Sequence, residues 1–465
     1  MSQPSTLIPW LTVLLAVGGV VVVTQFRQGP LVSPLSVTLL LLAAIFGVRP
    51  IMMVDHERYS FYGGNDVRNG FEIATWVGLV SVLFLLGGYF LGAVTRTRVP
   101  SRGDEFEPNW RPPRVSIARA ASFSVLLLLA WLLLMVAFGG GFDYISLLFA
   151  GRSDAAESRL SGMPAIVPAL PVVAALFLAL TRIQLERVRT ITSPEKLQYW
   201  AVVVLSVIPP SALGSRRFLI PSVLAALLGA VAPVWRRVIS VRMVALAFVG
   251  FVALTIIPFV RSSGSRTGRT DLLGAMGDYF GTQGLGGTLE NFFLSYDTEM
   301  FNYIAFLATR LGTTIEYGWG RGTVGELLLS PIPASIAPTT LWSNQILIEA
   351  FGGGCGVVYC PVPSVSGVLF YDGGFAGVVA GMSVLGFLMS RFEQAFLRAE
   401  GIKLAALLTL GAFSVQLVRG NTISQLWIAA QIVIVLTVLE WVAYRTSPSS
   451  RTSRPRSKHS QRSML

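Results

Sequence analysis

Runs of about twenty predominantly apolar residues recur along this chain, and each is long enough to cross the roughly 30 Å hydrocarbon core of a bilayer as a helix. Backbone placed in hydrocarbon must satisfy its own hydrogen bonds, which leaves helices and the strands of a closed barrel. Unbroken apolar character, without the alternation of a barrel strand, selects helices. We read about eleven spans, at residues 7–26, 31–48, 72–93, 117–138, 163–181, 197–213, 217–233, 242–260, 366–390, 403–418 and 424–443. Of the 465 residues, 53% are hydrophobic and 13% charged. The expected fold is an all-α polytopic integral membrane protein, and an ordinary soluble domain is excluded.

No Lys or Arg precedes the first run and no small-residue cleavage site follows it, so it reads as a retained span with an external N-terminus. With spans alternating from there, roughly two-thirds of the 36 Lys and Arg fall on the inner side, while most of the 24 Asp and Glu fall outside. Basic residues concentrate on the cytoplasmic side of membrane proteins, so the pattern predicts an N-out, C-in topology with an odd number of spans. The net charge of +12 therefore reports orientation, and nothing in the chain points to a nucleic-acid partner. The Ser- and Arg-rich residues 444–465 read as a disordered cytoplasmic tail attracted to anionic lipid.

Domain organisation follows from the spans. Residues 1–260 hold eight of them with short loops, residues 261–365 form one large external excursion, and residues 366–443 hold three more. The excursion opens with a flexible Gly, Ser and Arg segment from Arg261 to Arg269. Its apolar and aromatic pieces at 292–311 and 331–351 are expected to be short helices lying on or dipping into the outer membrane surface. Cys355 and Cys360 both lie in it. In an oxidising compartment they are candidates for a disulfide, with two unpaired thiols as the alternative. Smaller outer loops are expected at 49–70, 139–162 and 419–421.

All three lysines, Lys196, Lys403 and Lys458, fall inside, so every external cation is an arginine, whose forked donors suit phosphate. The stretch Gly214-Ser215-Arg216-Arg217 puts two of them between apolar runs. Pro209 and Pro210 should end the sixth span, and Pro221, tolerated in a first turn, places the start of the seventh near Arg217. A positive helix N-terminus carrying two guanidinium groups suits a pyrophosphate. Snorkelling to lipid phosphates, or pairing with a loop carboxylate, explains the pair equally well.

Arg152 and Arg159 lie seven apart and would share a helix face, with Asp154 and Glu157 each near one of them, most simply as a salt-bridged loop helix. Arg419 occupies a very short outer turn. Carboxylates available for acid or base work are Glu290, Asp297, Glu299, Glu316, Glu326, Glu349 and Asp372, with Asp55-His56-Glu57 nearer the N-terminus. No glycine-rich nucleotide loop, Ser-His-Asp pattern or HExxH motif is present.

Taken together, these features resemble the O-antigen polymerase (Wzy-type) family of bacterial envelopes. The resemblance rests on Gly214-Ser215-Arg216-Arg217 opening a span, the large external loop late in the chain, and the following block. That block runs from Pro338 through Glu349 to Gly352, then from Pro363-Ser364 through Tyr371-Asp372-Gly373-Gly374 to Gly377. It covers roughly residues 150 to 420, and Cys355 and Cys360 are not a feature of that family.

The resemblance implies a fold of the GT-C class in the cytoplasmic (inner) membrane of a bacterium, with the active site on the outer face. The implied reaction moves a growing glycan from one undecaprenyl-pyrophosphate carrier to the terminal sugar of a second lipid-linked repeat unit. In it, Arg216, Arg217 and Arg419 stabilise the leaving pyrophosphate, helped by Arg152, Arg159 or Arg261. Asp297 or Glu349 activates the acceptor hydroxyl, Tyr296 and Tyr371 contact substrate, and no metal or other cofactor is required. The partners implied are the lipid-linked donor and acceptor, membrane lipid, a chain-length regulator and a flippase.

O-antigen ligases share the architecture but use a histidine in the large loop, and residues 261–364 contain none. A transferase using a polyprenyl-phosphate sugar is a second enzyme alternative, with Asp55-His56-Glu57 as its acidic motif. A transporter or lipid-linked glycan flippase is the alternative of another class. It would show related halves and charges at mid-membrane, and neither is visible in the sequence.

Overall fold

The computed structural model describes residues 4–26, 33–61, 64–95, 115–139, 166–212, 216–231, 298–329, 362–396, 399–420 and 422–445, with isolated positions between 287 and 346. The first half contains helices α1 (Leu7–Phe26), α2 (Pro34–Ala43), α3 (Arg49–Asp55), α4 (Phe71–Val94), α5 (Ile117–Gly139), α6 (Ile166–Glu186), α7 (Ser193–Ala212) and α8 (Arg216–Val231). The second contains α9 (Met300–Arg310), α10 (Glu326–Leu329), α11 (Ser364–Phe396), α12 (Gly401–Ala412), α13 (Ser414–Arg419) and α14 (Thr422–Arg445). Ser60–Phe61 pairs antiparallel with Asn65–Asp66 in a minimal two-stranded sheet.

Among the described residues, seven helical stretches are long and apolar enough to cross a membrane: α1, the continuous run Pro34–Asp55, α4, α5, α6, α11 and α14. α8 and α12 are apolar but shorter, and α7 opens with the polar first turn that holds Glu195. The expected spans within the described residues fall on helical residues, but 403–418 is divided between α12 and α13, and 366–390 crosses a break in α11. The span expected at 242–260, and the tail at 446–465, lie outside them.

The second span departs from expectation. It does not end at Val48 before a loop; a π-helical turn, Ala44–Val48, carries it into α3. A proline inside a helix lacks a donor and crowds the carbonyl four residues back. The wider i to i−5 turn just ahead of Pro50 makes room for it. The Arg49 N–H bonds to the Ala44 carbonyl in that spacing, and Arg49 itself is buried, not in a loop.

α9 is the second correction. Residues Met300 to Leu307 are buried on every side, so this helix is not a surface-lying one. Phe301 meets Phe46 and Phe71 edge-on, and Tyr303 and Phe306 pack on Phe61. A Cβ on Gly70 would fall 1.8 Å from the Ala305 carbonyl oxygen, so only glycine admits α9 at this depth. Phe301 and the Tyr303/Phe306 pair lie on opposite sides of α9, and a membrane surface would cover one side only.

α11 is the third. Gly373 (φ −155°, ψ 24°) and Gly374 (φ 58°, ψ −144°) interrupt it. A Cβ on Gly377 would lie 2.3 Å from the Leu369 carbonyl oxygen, whereas eight residues of unbroken helix would separate them by about 12 Å. Residues 364–372 therefore fold back along 375–396 as a helical hairpin. Gly374 occupies a left-handed conformation that residues with a Cβ avoid. Non-helical backbone at this depth survives only when protein covers it, and residues 364–372 are almost wholly buried.

Two hydrophobic cores result. The first gathers residues of α1, α2, α4, α9 and α11. The second gathers residues of α5, α6, α7, α8, α12 and α14. α4 and α11 approach backbone to backbone through glycines: a Cβ on Gly88 would lie 2.0 Å from the Ser383 carbonyl oxygen, and one on Gly386 as close to that of Leu85. Small residues allow such dispersion contact where no hydrophobic force joins helices. At the far end, Arg187 donates to the carbonyls of Ala399 (2.6 Å) and Phe396 (3.1 Å), tying α6 to the end of α11.

Candidate anion-binding site

The two cores meet at α13. Phe413, just before it, belongs to the second core, and Val418, near its end, to the first. α13 packs against α2, α8, α11 and α14, so helices distant in sequence converge on six residues.

α8 begins at Arg216, one residue from the start expected near Arg217. Pro221 lies inside the helix, not in its first turn, because the helix starts at Arg216 and Pro221 is its sixth residue. Its missing N–H falls opposite the Arg217 carbonyl, which loosens the opening turn. α7 runs through Pro209 and Pro210 to Ala212 before it ends, slightly beyond the predicted break.

The Arg217 side chain is half-buried. Its Nε–H points at the Gln425 Oε1 across 3.4 Å, a long bond, and its guanidinium lies 5.8 Å from the Phe218 ring centre. Gln425 is buried in the first turn of α14. Its amide lies beside Gly420, where an added Cβ would be 3.7 Å from Gln425 Cγ. The Gly420 N–H closes α13 on the Gln416 carbonyl at 2.8 Å. Arg419, one residue earlier, is half-buried on the last turn of α13. Arg217 thus faces the glutamine directly, and Arg419, some two hundred residues away in sequence, ends the helix whose closing Gly420 lies beside it.

On the other side of the seam, residues 317–323 cap the hairpin turn of α11. Asp372 accepts the Gly322 N–H at Oδ1 (2.8 Å) and the Thr323 hydroxyl at Oδ2 (2.7 Å). The Tyr371 and Asp372 carbonyls accept the N–H groups of Gly318 (2.9 Å) and Trp319 (3.0 Å). A Cβ on Gly318 would sit 2.2 Å from Tyr371 Cε1. Tyr371, expected to contact substrate, is roofed over by this segment and buried.

A π-helical turn, Arg321–Gly325, then delivers Glu326 into the interior at 3% exposure. The fully buried Tyr303 phenol is pushed up from its ordinary value by burial, with the nearby Tyr371 and Glu326 adding to the shift. The Trp427 indole N–H donates to the Leu327 carbonyl at 3.1 Å, seating α10 on α14 two residues beyond Gln425.

Chemically, the arrangement places the forked donors of Arg217 beside a carboxamide at a junction of helix ends, with Arg419 on the adjoining helix end and the Glu326 carboxylate buried on α10. Such a constellation can hold an anion and accept a proton. Among the described residues, no group of three or more His, Cys, Asp or Glu side chains is placed to hold a metal.

Arg152, Arg159, Arg261, Tyr296, Asp297, Glu349, Cys355 and Cys360 lie outside the described residues, as does the side chain of Arg216. Gln425 carried no sequence signal, being one glutamine in an apolar helix. Arg49 carried one that was misread. It donates to Asn302 Oδ1 (2.9 Å), Thr298 Oγ1 (2.8 Å) and the Phe293 carbonyl (3.1 Å), pinning α9 to the first core. Nearby, Arg58 pairs with Glu290 at 3.2 Å, and His56 lies 3.7 Å from the same carboxylate.

Comparison of the chain with protein-family models, with curated proteins and with solved structures found no match.

Proposed function

We propose that this protein is a membrane glycosyltransferase that polymerises lipid-pyrophosphate-linked oligosaccharide units on the outer face of a bacterial cytoplasmic membrane. The observation that carries the reading is Arg217 facing Gln425 at the seam between two helical cores, where α13, which ends in Arg419, packs against the helices of both residues. Ligand sites favour such seams. The outer face offers no nucleotide sugars, so the donor must bring its own leaving group, and a lipid pyrophosphate is one.

In the proposed step the acceptor hydroxyl oxygen attacks the anomeric carbon of the donor glycan while the bond from that carbon to the pyrophosphate oxygen breaks. The pyrophosphate departs with the electron pair, stabilised by Arg217 and Arg419, with Arg216 nominated from the sequence. The hydroxyl proton passes to a carboxylate. Glu326, buried on the short helix α10 that Trp427 ties to α14, is one candidate, and Asp297 and Glu349 are nominated from the sequence. Direct displacement inverts the anomeric centre. The chemistry asks for no metal, and the donor, the acceptor and membrane lipid are the partners it needs.

The test uses purified protein in nanodiscs with a lipid-linked repeat unit in EDTA, read as a ladder on a gel. Arg217→Lys and Arg419→Lys keep the charge but lose the fork, and each is expected to slow ladder growth by about tenfold or more. A wild-type ladder from both sinks the clamp.

The buried break at Asp372–Gly374 favours a second reading, a flippase of lipid-linked glycans, since transporters build sites at interrupted helices. Accelerated lipid movement with no ladder would select it. A single product on a lipid A-type acceptor would select a ligase.

A further inference from the structure

The segment that caps the α11 hairpin presents one ring outward. Trp319 has φ +50°, a left-handed backbone conformation that costs free energy in any residue with a Cβ, while its neighbour Gly320 takes φ +88° freely. Two backbone bonds to the hairpin turn hold it there, from the Gly318 and Trp319 N–H groups. A glycine would occupy position 319 without strain. Instead the position carries the largest side chain, and that side chain is 84% exposed. Its ring therefore contributes almost nothing to the core that constrains it. The Tyr317 ring lies 6.1 Å away at 53°, forming a second, tilted wall. Thr313, Thr314, Glu316 and Arg321, all exposed, lie in the same short segment and carry hydrogen-bonding groups.

We infer that Trp319, with Tyr317, is a carbohydrate-stacking platform that holds a pyranose of the glycan next to the seam. An aromatic face meets the C–H face of a sugar ring, and the hydroxyls at the ring's edge need polar partners, which Glu316 and Arg321 supply. Charged and hydroxyl neighbours suit a glycan better than an acyl chain. The choice of glycan as ligand rests on the glycosyltransferase reading.

The test uses the full chain in nanodiscs and oligosaccharides released by mild acid from the surface glycan of the source cells, with binding read by saturation-transfer NMR. Trp319→Gly keeps the backbone and removes the ring, so binding should weaken on the order of tenfold, or ~1.4 kcal/mol. Its thermal midpoint should stay the same or rise, as strain is relieved. Trp319→Phe should bind within about threefold of wild type.

Wild-type binding by the Gly variant, or no binding by the wild type, overturns the platform. So does quenching by brominated lipid of the fluorescence that Trp319→Phe removes, which would put the ring in the bilayer. If glycan binding depends on Trp319 but the wild type makes no ladder, the platform stands and the polymerase reading fails. If the ladder forms and Trp319→Gly changes neither it nor binding, the platform fails and the polymerase reading stands.

Discussion

Replacing Arg49 should reveal that a neutral side chain is tolerated better there than lysine. Arg49 is 4% exposed and donates three hydrogen bonds, to Asn302 Oδ1, Thr298 Oγ1 and the Phe293 carbonyl. Bonds to a charged group contribute roughly 1.5–3 kcal/mol each, but burying the guanidinium costs several kcal/mol in return. Arg49→Met removes the bonds and the burial cost together. Among these bonds, the variant leaves Asn302 Oδ1 without its donor, while the Thr298 hydroxyl still donates to Phe293 at 2.5 Å and Asn302 Nδ2 still donates to the Ser60 carbonyl at 3.0 Å. One orphaned acceptor costs about 1–3 kcal/mol. Arg49→Lys keeps a buried charge and loses the fork that reaches three acceptors, a loss of about 3–5 kcal/mol.

The expected stability order is therefore wild type, then Met, then Lys. Thermal midpoints in detergent, read by size-exclusion after heating, test it. Deuterium exchange over 300–310 should rise in both variants, since Arg49 is what holds α9 to α3. A lysine variant as stable as wild type, or more stable than the methionine variant, refutes the reasoning.

Two further outcomes follow from local geometry. Gly386→Ala would place a Cβ 2.0 Å from the Leu85 carbonyl oxygen and should cost about 1–3 kcal/mol by forcing α4 and α11 apart, while Gly87→Ala, with open space around it, should be neutral or stabilising; equal thermal midpoints would contradict this. Thr192 and Glu195 form a capping box at the start of α7, and the Arg189 guanidinium, followed by the Thr192 N–H, lowers the Glu195 carboxyl from 4.5 to about 2. A depressed carboxylate stabilises above its unfolded value, and that contribution is lost as pH falls from 4.5 towards 2. Because the Arg189 side chain is 45% exposed, the effect is a few tenths of a kcal/mol. The stability gap between wild type and Glu195→Gln should close on acidification, and a gap that widens would refute the linkage.

Local features were legible in the chain. The helices at 7–26, 72–93 and 117–138 could be read because apolar length is a one-dimensional property, and helix is the state that satisfies such a run in hydrocarbon. The Arg216 start of α8 was legible from charge and proline spacing. Arg49 was misplaced because a charge followed by proline resembles a loop boundary. Its acceptors lie some two hundred and fifty residues away on α9, and no local pattern announces them. The α11 hairpin was read as one span since residues 364–396 stay apolar through the reversal; only Asp372-Gly373-Gly374 hinted at it.

By itself, then, the sequence determined a helical membrane protein, most of its helix positions, and a surplus of arginine at certain helix ends, all consequences of local hydropathy and charge. Tertiary structure decided which of those ends meet. The helices that carry Arg217 and Arg419 were brought together by the packing of α13 between two cores, Tyr371 was buried by the segment laid over it, and Trp319 was left outside. These outcomes depend on which helix faces exclude each other's solvent, and that is a property of the packed chain, not of any stretch within it.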